Sequence, residues 1–249
     1  MKIKTIKTEL QEILPFRTLF LQENNFQIRY NACHERNWSY SYLLMIDKMK
    51  IGYGSVKGKE RLADRDTVFE FYVIPPFRKM SSILFSKLLA VSGAAFIECQ
   101  SNDFFLSSML YEFARNIYAD VILFDDHKLT EFKIPRVVFR RHIKDENMFE
   151  HKAEPVGEYV LEKNGEIVAT GGFMLHYNMP FADLYKEVKE TFRGAGLGSF
   201  LIQELKKECY LAGRVPAARC NMQNIASKAT LIKAGLKPCG CMLTGEIKK

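Results

Sequence analysis

The sequence predicts an α+β fold in which two similar parts follow one another along the chain. Each part begins with an antiparallel hairpin and continues with a strand, a helix, a second strand and a second helix. The hairpins share a pattern, because Tyr42 is followed twelve residues later by Gly54 and Tyr159 twelve residues later by Gly171. With 249 residues, 47% of them hydrophobic, the chain is long enough for two cores. We predict domains at residues 1–140 and 141–249, divided in a polar, irregular stretch.

The first part opens with a predicted helix. Leu10, Ile13 and Phe20 recur at helical spacing within residues 8–35, and a kink or break is expected at Pro15. The next predicted elements are a hairpin (40–46 and 51–56), a strand (67–74), a helix (80–92), a strand (94–99), a helix (104–117) and a strand (121–124). The first part therefore predicts a sheet with helices packed on it.

The second part contains the clearest local signal. Asn164-Gly165 separates two strand-like runs, 159–162 and 167–177, and this dipeptide is typical of a two-residue hairpin turn. The remaining predicted elements are strands at 137–139, 182–188, 215–221 and 237–245 and helices at 197–212 and 225–234. Their order repeats that of the first part.

Charge and composition narrow the classes of function. The formal net charge is +7, and it is spread along the chain, so we expect an acidic small-molecule ligand and no nucleic acid. The longest apolar run, 88–97, is too short to span a membrane, and no signal-peptide pattern opens the sequence. Six cysteines without ligand spacing predict free thiols and no metal site. We expect a cytoplasmic monomer or homodimer that does not bind membranes.

The most informative stretch is the glycine-rich turn of residues 193–199, Arg-Gly-Ala-Gly-Leu-Gly-Ser. A helix is predicted directly after it, so free backbone N–H groups point outward at the positive end of the helix dipole. Such a turn is a seat for phosphate or pyrophosphate. Ser199 stands where a dinucleotide fingerprint requires glycine, and no Lys-Ser/Thr pair follows as in a Walker A loop. The alternative is a tight strand–helix turn without a ligand.

The first part carries an altered copy of this turn. Arg78 precedes its helix as Arg193 precedes the later one, but Ser81 and Ile83 stand where the later turn has Gly196 and Gly198. A β-branched side chain fills the space that a phosphate-binding backbone needs. We therefore predict one competent site and one degenerate copy.

The segment Arg193-x-x-Gly196-x-Gly198 between a strand and a helix resembles the acyl-CoA motif of the GNAT superfamily of N-acetyltransferases. The later segments Asn224-x-x-Ser227 and Lys233-Ala-Gly-Leu236 are similar to the signature that follows in that family, with Ser and Leu as mild departures. The resemblance is strong over 156–245, and 40–125 resembles the same fold without the cofactor motif. It implies a three-layer α/β arrangement in two tandem GNAT-like domains with mixed, mostly antiparallel sheets, the N-terminal copy being degenerate.

The resemblance also implies an acyl-CoA site between strands 182–188 and 215–221, which are expected to splay apart. The backbone N–H of Val188 would bind the thioester carbonyl and the oxyanion that forms from it. Asn224 and Ser227 would lie beside the pantetheine. The pyrophosphate would be held by the backbone of Gly194, Ala195, Gly196, Leu197, Gly198 and Ser199, with added charge from Arg193.

The acceptor amine must lose a proton before it attacks, and a carboxylate or histidine can take it. Asp183 and Glu187 lie on one face of a strand beside the expected gap, Tyr185 shares that face, and His176 is near the end of the neighbouring strand. The alternatives are solvated or hydrogen-bonded edge residues and a packed aromatic ring. Many family members have a tyrosine acid where this chain has Leu231, but a thiol of pKa about 8.5 leaves tolerably without one.

Together these features predict an acyltransferase that moves an acetyl group from acetyl-CoA, its co-substrate, to a primary amine of a small molecule or protein. Attack would be direct, in a ternary complex, with no metal. Two alternatives stay open: transfer of a longer acyl group, and a non-catalytic module that senses acyl-CoA.

Overall fold

A computed structural model describes residues 2–24, 26–28 and 30–248 of the chain. The strands are β1 (Ile3–Thr8), β2 (Ser39–Ile46), β3 (Met49–Lys57), β4 (Thr67–Val73), β5 (Phe96–Gln100), β6 (Ala114–Asp126), β7 (Val137–Arg141), β8 (Tyr159–Lys163), β9 (Glu166–Met174), β10 (Phe181–Val188), β11 (Val215–Asn221) and β12 (Leu236–Ile247). The α-helices are α1 (Leu10–Glu23), α2 (Asn31–Glu35), α3 (Ser81–Ser92), α4 (Phe104–Phe113), α5 (Leu197–Leu211) and α6 (Ile225–Lys233). Two 3₁₀ segments span Pro75–Met80 and Glu190–Phe192.

The chain divides into two compact units. Unit 1 comprises residues 1–120 with 240–249, and unit 2 comprises residues 121–239. The division falls before the polar segment that the sequence points to, because residues 121–125 of β6 pair with β11. The last residues belong to unit 1 because Met242–Glu246 of β12 pair with β5. The domain boundary at 140/141 stays a prediction beside this division.

Unit 1 is a sheet in the order β1-β2-β3-β4-β5-β12. Its strands pair antiparallel except β4 and β5, which run parallel. One apolar cluster between the sheet and α3 and α4 contains Phe71, Phe85 and Leu88. A second cluster, which includes Ile13 and Phe20 of α1, covers other residues of β2, β3 and β4. The alternating side chains of the strands therefore bury both faces of this sheet.

Unit 2 has the order β6-β11-β10-β9-β8-β7, with β10 and β11 as its parallel pair. Helix α5 supplies the main apolar stripe, including Leu197, Leu201 and Leu205, all buried against the sheet. Gly171 of β9 lies under this helix, and a Cβ atom there would stand 2.9 Å from Leu205 Cδ1. The predicted hairpin turn is confirmed, since Asn164 and Gly165 both have positive φ (52° and 79°). The α+β fold with mostly antiparallel sheets is confirmed.

Two local predictions were wrong. Residues 8–35 do not form one helix: β1 ends at Thr8, α1 ends at Glu23, and α2 is a separate short helix. Strand β1 was missed because its Ile-Lys-Thr repeat has no alternation of apolar and polar residues, while its pairing with β2 fixes the extended backbone. The helix predicted at 104–117 ends at Phe113, where the β-branched and aromatic residues that follow join β6. Pro15 lies inside α1, which continues through it.

Candidate active site

The central feature of unit 2 is a gap between two parallel strands. Pairing of β10 with β11 covers only Phe181–Asp183 opposite Val215–Ala217. Beyond Asp183, β10 continues along β9 as far as Val188, while β11 continues along β6. The strands therefore splay as the resemblance implies, and within the described part of the chain the edge of β10 that faces the gap has no strand partner from Leu184 onward.

A cavity of about 250 Å³ lies at this gap. Four of the residues singled out in the sequence line it: Asp183, Tyr185, Asn224 and Ser227. It is also lined by residues that the sequence reasoning did not place among the site candidates: Val121, Glu154, Met174, Leu184, Arg219, Cys220 and Asn221. A polar cavity between splayed strands can admit an extended ligand and a second small molecule.

The glycine turn has the backbone that its sequence predicts. Gly194 and Gly196 have φ of 82° and 78°, the left-handed region that side chains with a Cβ rarely adopt. Gly196 is the N-cap of α5, and no side chain caps this helix end. The first intrahelical bond runs from Phe200 N–H to the Gly196 carbonyl. The N–H groups of residues 197–199 are therefore available at the helix N-terminus.

The glycine turn has little room for side chains at Gly198, and two lysines lie near it. A Cβ atom at Gly198 would lie 3.2 Å from Thr230 Cγ2 and 3.4 Å from Lys186 Cε. A Cβ atom at Gly196 would lie 4.0 Å from Lys233 Nζ. Arg193 donates from Nε to the Val188 carbonyl (3.2 Å), so its side chain braces the turn. The cradle is thus rich in N–H groups and positive charge, which fits a pyrophosphate.

The backbone of Val188 points into the gap. Val188 pairs with Ala169 of β9, and the next residue, Lys189, donates its N–H to the Val168 carbonyl (2.9 Å). In an antiparallel ladder this pattern marks a pair whose own N–H and C=O groups point away from the partner strand. The Val188 N–H is therefore directed to the side of β10 that faces β11.

Three predicted cofactor contacts also have structural partners. The Ser199 hydroxyl donates to the Thr230 carbonyl (3.3 Å), which ties α5 to α6. Asn224 Oδ1 accepts from the Ser227 N–H (2.9 Å) and caps α6. The side chains of Asn224 and Ser227 still line the cavity.

Asp183 is the centre of a buried charge cluster. Its carboxylate Oδ2 lies 2.8 Å from His176 Nε2 and 3.3 Å from Arg219 Nε. Only 4% of the Asp183 side chain is exposed, whereas 29% of the Arg219 side chain is. The structure thus brings Asp183 and His176 together, and it adds an arginine that the sequence did not single out.

Glu187 holds a loop. Its two carboxylate oxygens accept the N–H groups of Lys152 (2.8 Å), Ala153 (3.0 Å) and Glu154 (2.9 Å). Burial acts to raise the pKa of Glu187, but these three hydrogen bonds outweigh it and hold the pKa below its ordinary value. Glu187 is therefore an ionised anchor that fixes the position of Glu154.

Glu154 is the carboxylate that faces the cavity without a bond to the described residues, since its oxygens accept no hydrogen bond from them. Burial and the nearby Asp183 charge raise its pKa. Sequence reasoning missed it because it precedes Pro155 in a polar segment without periodicity. Tyr185 lines the same cavity, and burial with the charges of Glu158 and Glu154 raises the pKa of its hydroxyl.

The equivalent gap in unit 1 is filled. β4 pairs with β5 only at Thr67 and Val68. Phe71 then packs edge-on against Phe85 (4.9 Å between ring centres) and stacks on Phe105 (5.4 Å). In place of a glycine turn, the 3₁₀ segment runs directly into α3. The repeat is otherwise close, because Arg78 Nε donates to the Val73 carbonyl (2.9 Å) as Arg193 donates to Val188.

Comparison with known proteins agrees with this geometry. Residues 123–235 match the model of the acetyltransferase (GNAT) family. The segment 123–235 is therefore similar to a GNAT-family acetyltransferase domain. It contains the glycine turn, the splayed strands and α6. No curated protein matches the sequence.

Similarity to solved structures covers both units of the chain. A GNAT-family acetyltransferase from Colwellia psychrerythraea is 14% identical, with a TM-score of 0.76 over 100% of each chain. A GCN5-related N-acetyltransferase from Sphaerobacter thermophilus is 13% identical, with a TM-score of 0.62 over 99% of this chain and 96% of that one. A tandem GNAT protein from the clavulanic acid biosynthesis pathway is 10% identical, with a TM-score of 0.61 over 100% and 99%. These likenesses confirm the GNAT fold and its tandem arrangement.

Among the described residues, no group of three or more His, Cys, Asp or Glu side chains is arranged to hold a metal ion. No helix in the described part of the chain is long and apolar enough to cross a membrane.

Proposed function

We propose that the chain is an N-acetyltransferase that moves an acetyl group from acetyl-CoA to a primary amine by direct attack in a ternary complex. The observation that carries the proposal is the gap beyond Asp183, with the glycine turn and α5 at one side and the cavity at the other. The uncapped N-terminus of α5 and the left-handed glycines before it offer backbone N–H groups that fit the pyrophosphate of an acyl-CoA.

The cofactor-binding roles follow from the directions in which the backbone N–H groups of the site point. The N–H groups of residues 194–199 would hold the pyrophosphate, and Lys233 would add charge beside Gly196. The thioester is the acetyl donor. The Val188 N–H would stabilise the oxyanion of the tetrahedral intermediate, an interaction that strengthens as negative charge develops.

We assign to Glu154 the role of the general base, which accepts the proton of the acceptor amine. Its carboxylate faces the cavity, and a raised pKa brings it closer to that of a useful general base. Glu187, which the sequence offers as a base, acts in this proposal as the positioning residue for Glu154. Asp183 and His176 orient Arg219 and the cavity wall, and Tyr185 packs against Gly172 with its hydroxyl beside the acceptor space.

The bond changes are balanced without a further reactant. The ammonium first loses one proton to Glu154, which returns it to solvent. The free amine nitrogen then forms a bond to the thioester carbonyl carbon, the C–S bond breaks, and the second nitrogen proton passes to Glu154. Leu231 is 3% exposed and packs in the core, so α6 offers no acid at that position. The departing thiolate takes its proton from solvent, which its pKa of about 8.5 permits.

Release of CoA thiol from acetyl-CoA, measured across a set of primary amines, tests the proposal. We expect acceptor-dependent release that exceeds hydrolysis in buffer and falls in Glu154→Gln. Binding of acetyl-CoA without thiol release for any acceptor would favour the sensor alternative. Faster release from a longer acyl-CoA than from acetyl-CoA would favour the other alternative.

A further inference from the structure

We infer that the acceptor is a free α-amino acid, whose carboxylate binds Arg219 while its amine faces Glu154. This inference rests on the proposed function, because it names the acceptor of the same site. It is drawn from two oppositely charged groups that line one cavity and are only partly used by the protein.

Arg219 supplies the cationic half. The ion pair with Asp183 uses its Nε, and its two Nη groups donate to none of the described residues. The nearly fully buried Asp183 holds the guanidinium through this one contact, and Arg219 lines the cavity. A fixed guanidinium with free N–H groups is suited to bind a planar carboxylate through two hydrogen bonds.

Glu154 supplies the anionic half. Its carboxylate lines the same cavity and is free of hydrogen bonds from the described residues. Glu187 holds the backbone of Glu154 in place, so the position of this charge is fixed. An ammonium group that arrives beside Glu154 is therefore bound first and can then lose its proton there.

The walls of the cavity suit an amino acid with an apolar side chain. Met174, Leu184 and Tyr185 provide apolar wall beside the charged pair. A lysine side chain or an N-terminal amine of a protein would bring no carboxylate next to its nitrogen. Arg219 would then be buried by the acceptor without a partner for its Nη groups, which is costly.

The test compares acceptors that differ only in the carboxylate. Thiol release would be measured with L-leucine, leucinamide and 3-methylbutylamine, and with L-phenylalanine and 2-phenylethylamine. The amide is the stringent control, because its amine loses a proton more readily than that of the amino acid. We expect kcat/KM to be roughly tenfold to a hundredfold higher for the amino acids, the range that one charge-assisted pair of hydrogen bonds contributes.

Variants link the preference to Arg219. Arg219→Met should reduce the ratio between leucine and leucinamide to about one. Arg214→Met is the matched control, because Arg214 contacts the Phe181 carbonyl (3.4 Å) and does not line the cavity. It should leave the ratio unchanged. If Arg219→Met fails to fold, Arg219→Lys keeps the charge beside Asp183 but loses the planar fork, and should lower the ratio partway.

The possible failures are distinguishable. Thiol release with amines but an equal kcat/KM for leucine and leucinamide would overturn the amino-acid inference alone. The amino-acid inference would also be overturned if Arg219→Lys and Arg219→Met left the ratio of kcat/KM between leucine and leucinamide at the parent value. No release with any acceptor, together with no binding of acetyl-CoA, would overturn the proposed function and this inference with it.

Discussion

Replacing Gly198 by isoleucine should abolish acetyl-CoA binding while leaving the protein folded. The Cβ alone would lie 3.2 Å from Thr230 Cγ2 and 3.4 Å from Lys186 Cε, and three further carbons must enter the same space. Overpacking of this kind costs roughly 1–3 kcal/mol. The melting temperature should fall by about 2–12 °C, given a dependence of roughly 2–4 °C per kcal/mol for chains of this size.

The assay is the shift in melting temperature on addition of acetyl-CoA. For the parent protein, a ligand at about a hundred times its Kd stabilises by about 2.7 kcal/mol, or roughly 5–10 °C. We expect this shift to vanish in Gly198→Ile, because the side chain fills the cradle beside the helix N-terminus.

A control variant separates loss of the pyrophosphate-binding site from loss of protein stability. Gly213 follows the other end of α5 with φ of 69°, and a Cβ there would meet no atom within 4 Å. Gly213→Ala should cost about 1–2 kcal/mol in backbone strain and keep the full acetyl-CoA shift. A Gly198→Ile protein that keeps the shift would refute the assignment of the turn as the pyrophosphate seat.

Three further predictions concern carboxylates. Because a base acts only when ionised, kcat/KM should fall as the pH drops through the raised pKa of Glu154, and Glu154→Gln should remove that limb and lower the rate by roughly 10²–10⁴. Glu187→Gln should cost about 1–3 kcal/mol at pH 7, and the difference in melting temperature should narrow as the pH falls through the lowered pKa of Glu187, where the parent also loses the ionised form. Glu70→Gln should cost about 3–5 kcal/mol, since Glu70 is buried with Arg17 (3.0 Å) and His34 (2.9 Å), yet a folded sample should keep the acetyl-CoA shift.

Much of the fold was predictable because local signals and periodicity agreed. The Asn164-Gly165 turn, the α5 stripe and the repeated order of elements each lie in short stretches whose own chemistry fixes the backbone. Strand β1 and the end of α4 were not predictable in this way, because pairing with distant strands overrides the local preference there.

The site was predictable in its backbone and less so in its side chains. Glycines with positive φ and the strand before them follow from local sequence, which is why the cradle at Gly194 and Gly196 could be anticipated. The role of each carboxylate in the site depends on contacts between residues that are far apart in the sequence. Glu187 is engaged by a loop 33–35 residues earlier, and Glu154 reaches the cavity only because that loop is held there.

The internal repeat also shows that the two units share a fold but differ at the site. Both units keep an arginine hydrogen-bonded to the last residue of the strand before the helix, so the architecture of the turn survives in each. In unit 1 Phe71 and Phe105 occupy the gap that unit 2 leaves open. Packed aromatic rings stabilise the splayed strands of a unit in which no ligand fills the gap.

The binding site can be checked in a crystal structure of the protein with acetyl-CoA. We expect one molecule per chain, its pyrophosphate on the N–H groups of residues 194–199 and its thioester carbonyl at the Val188 N–H. A molecule bound at the start of α3, or one in unit 2 away from the gap between β10 and β11, would contradict this expectation.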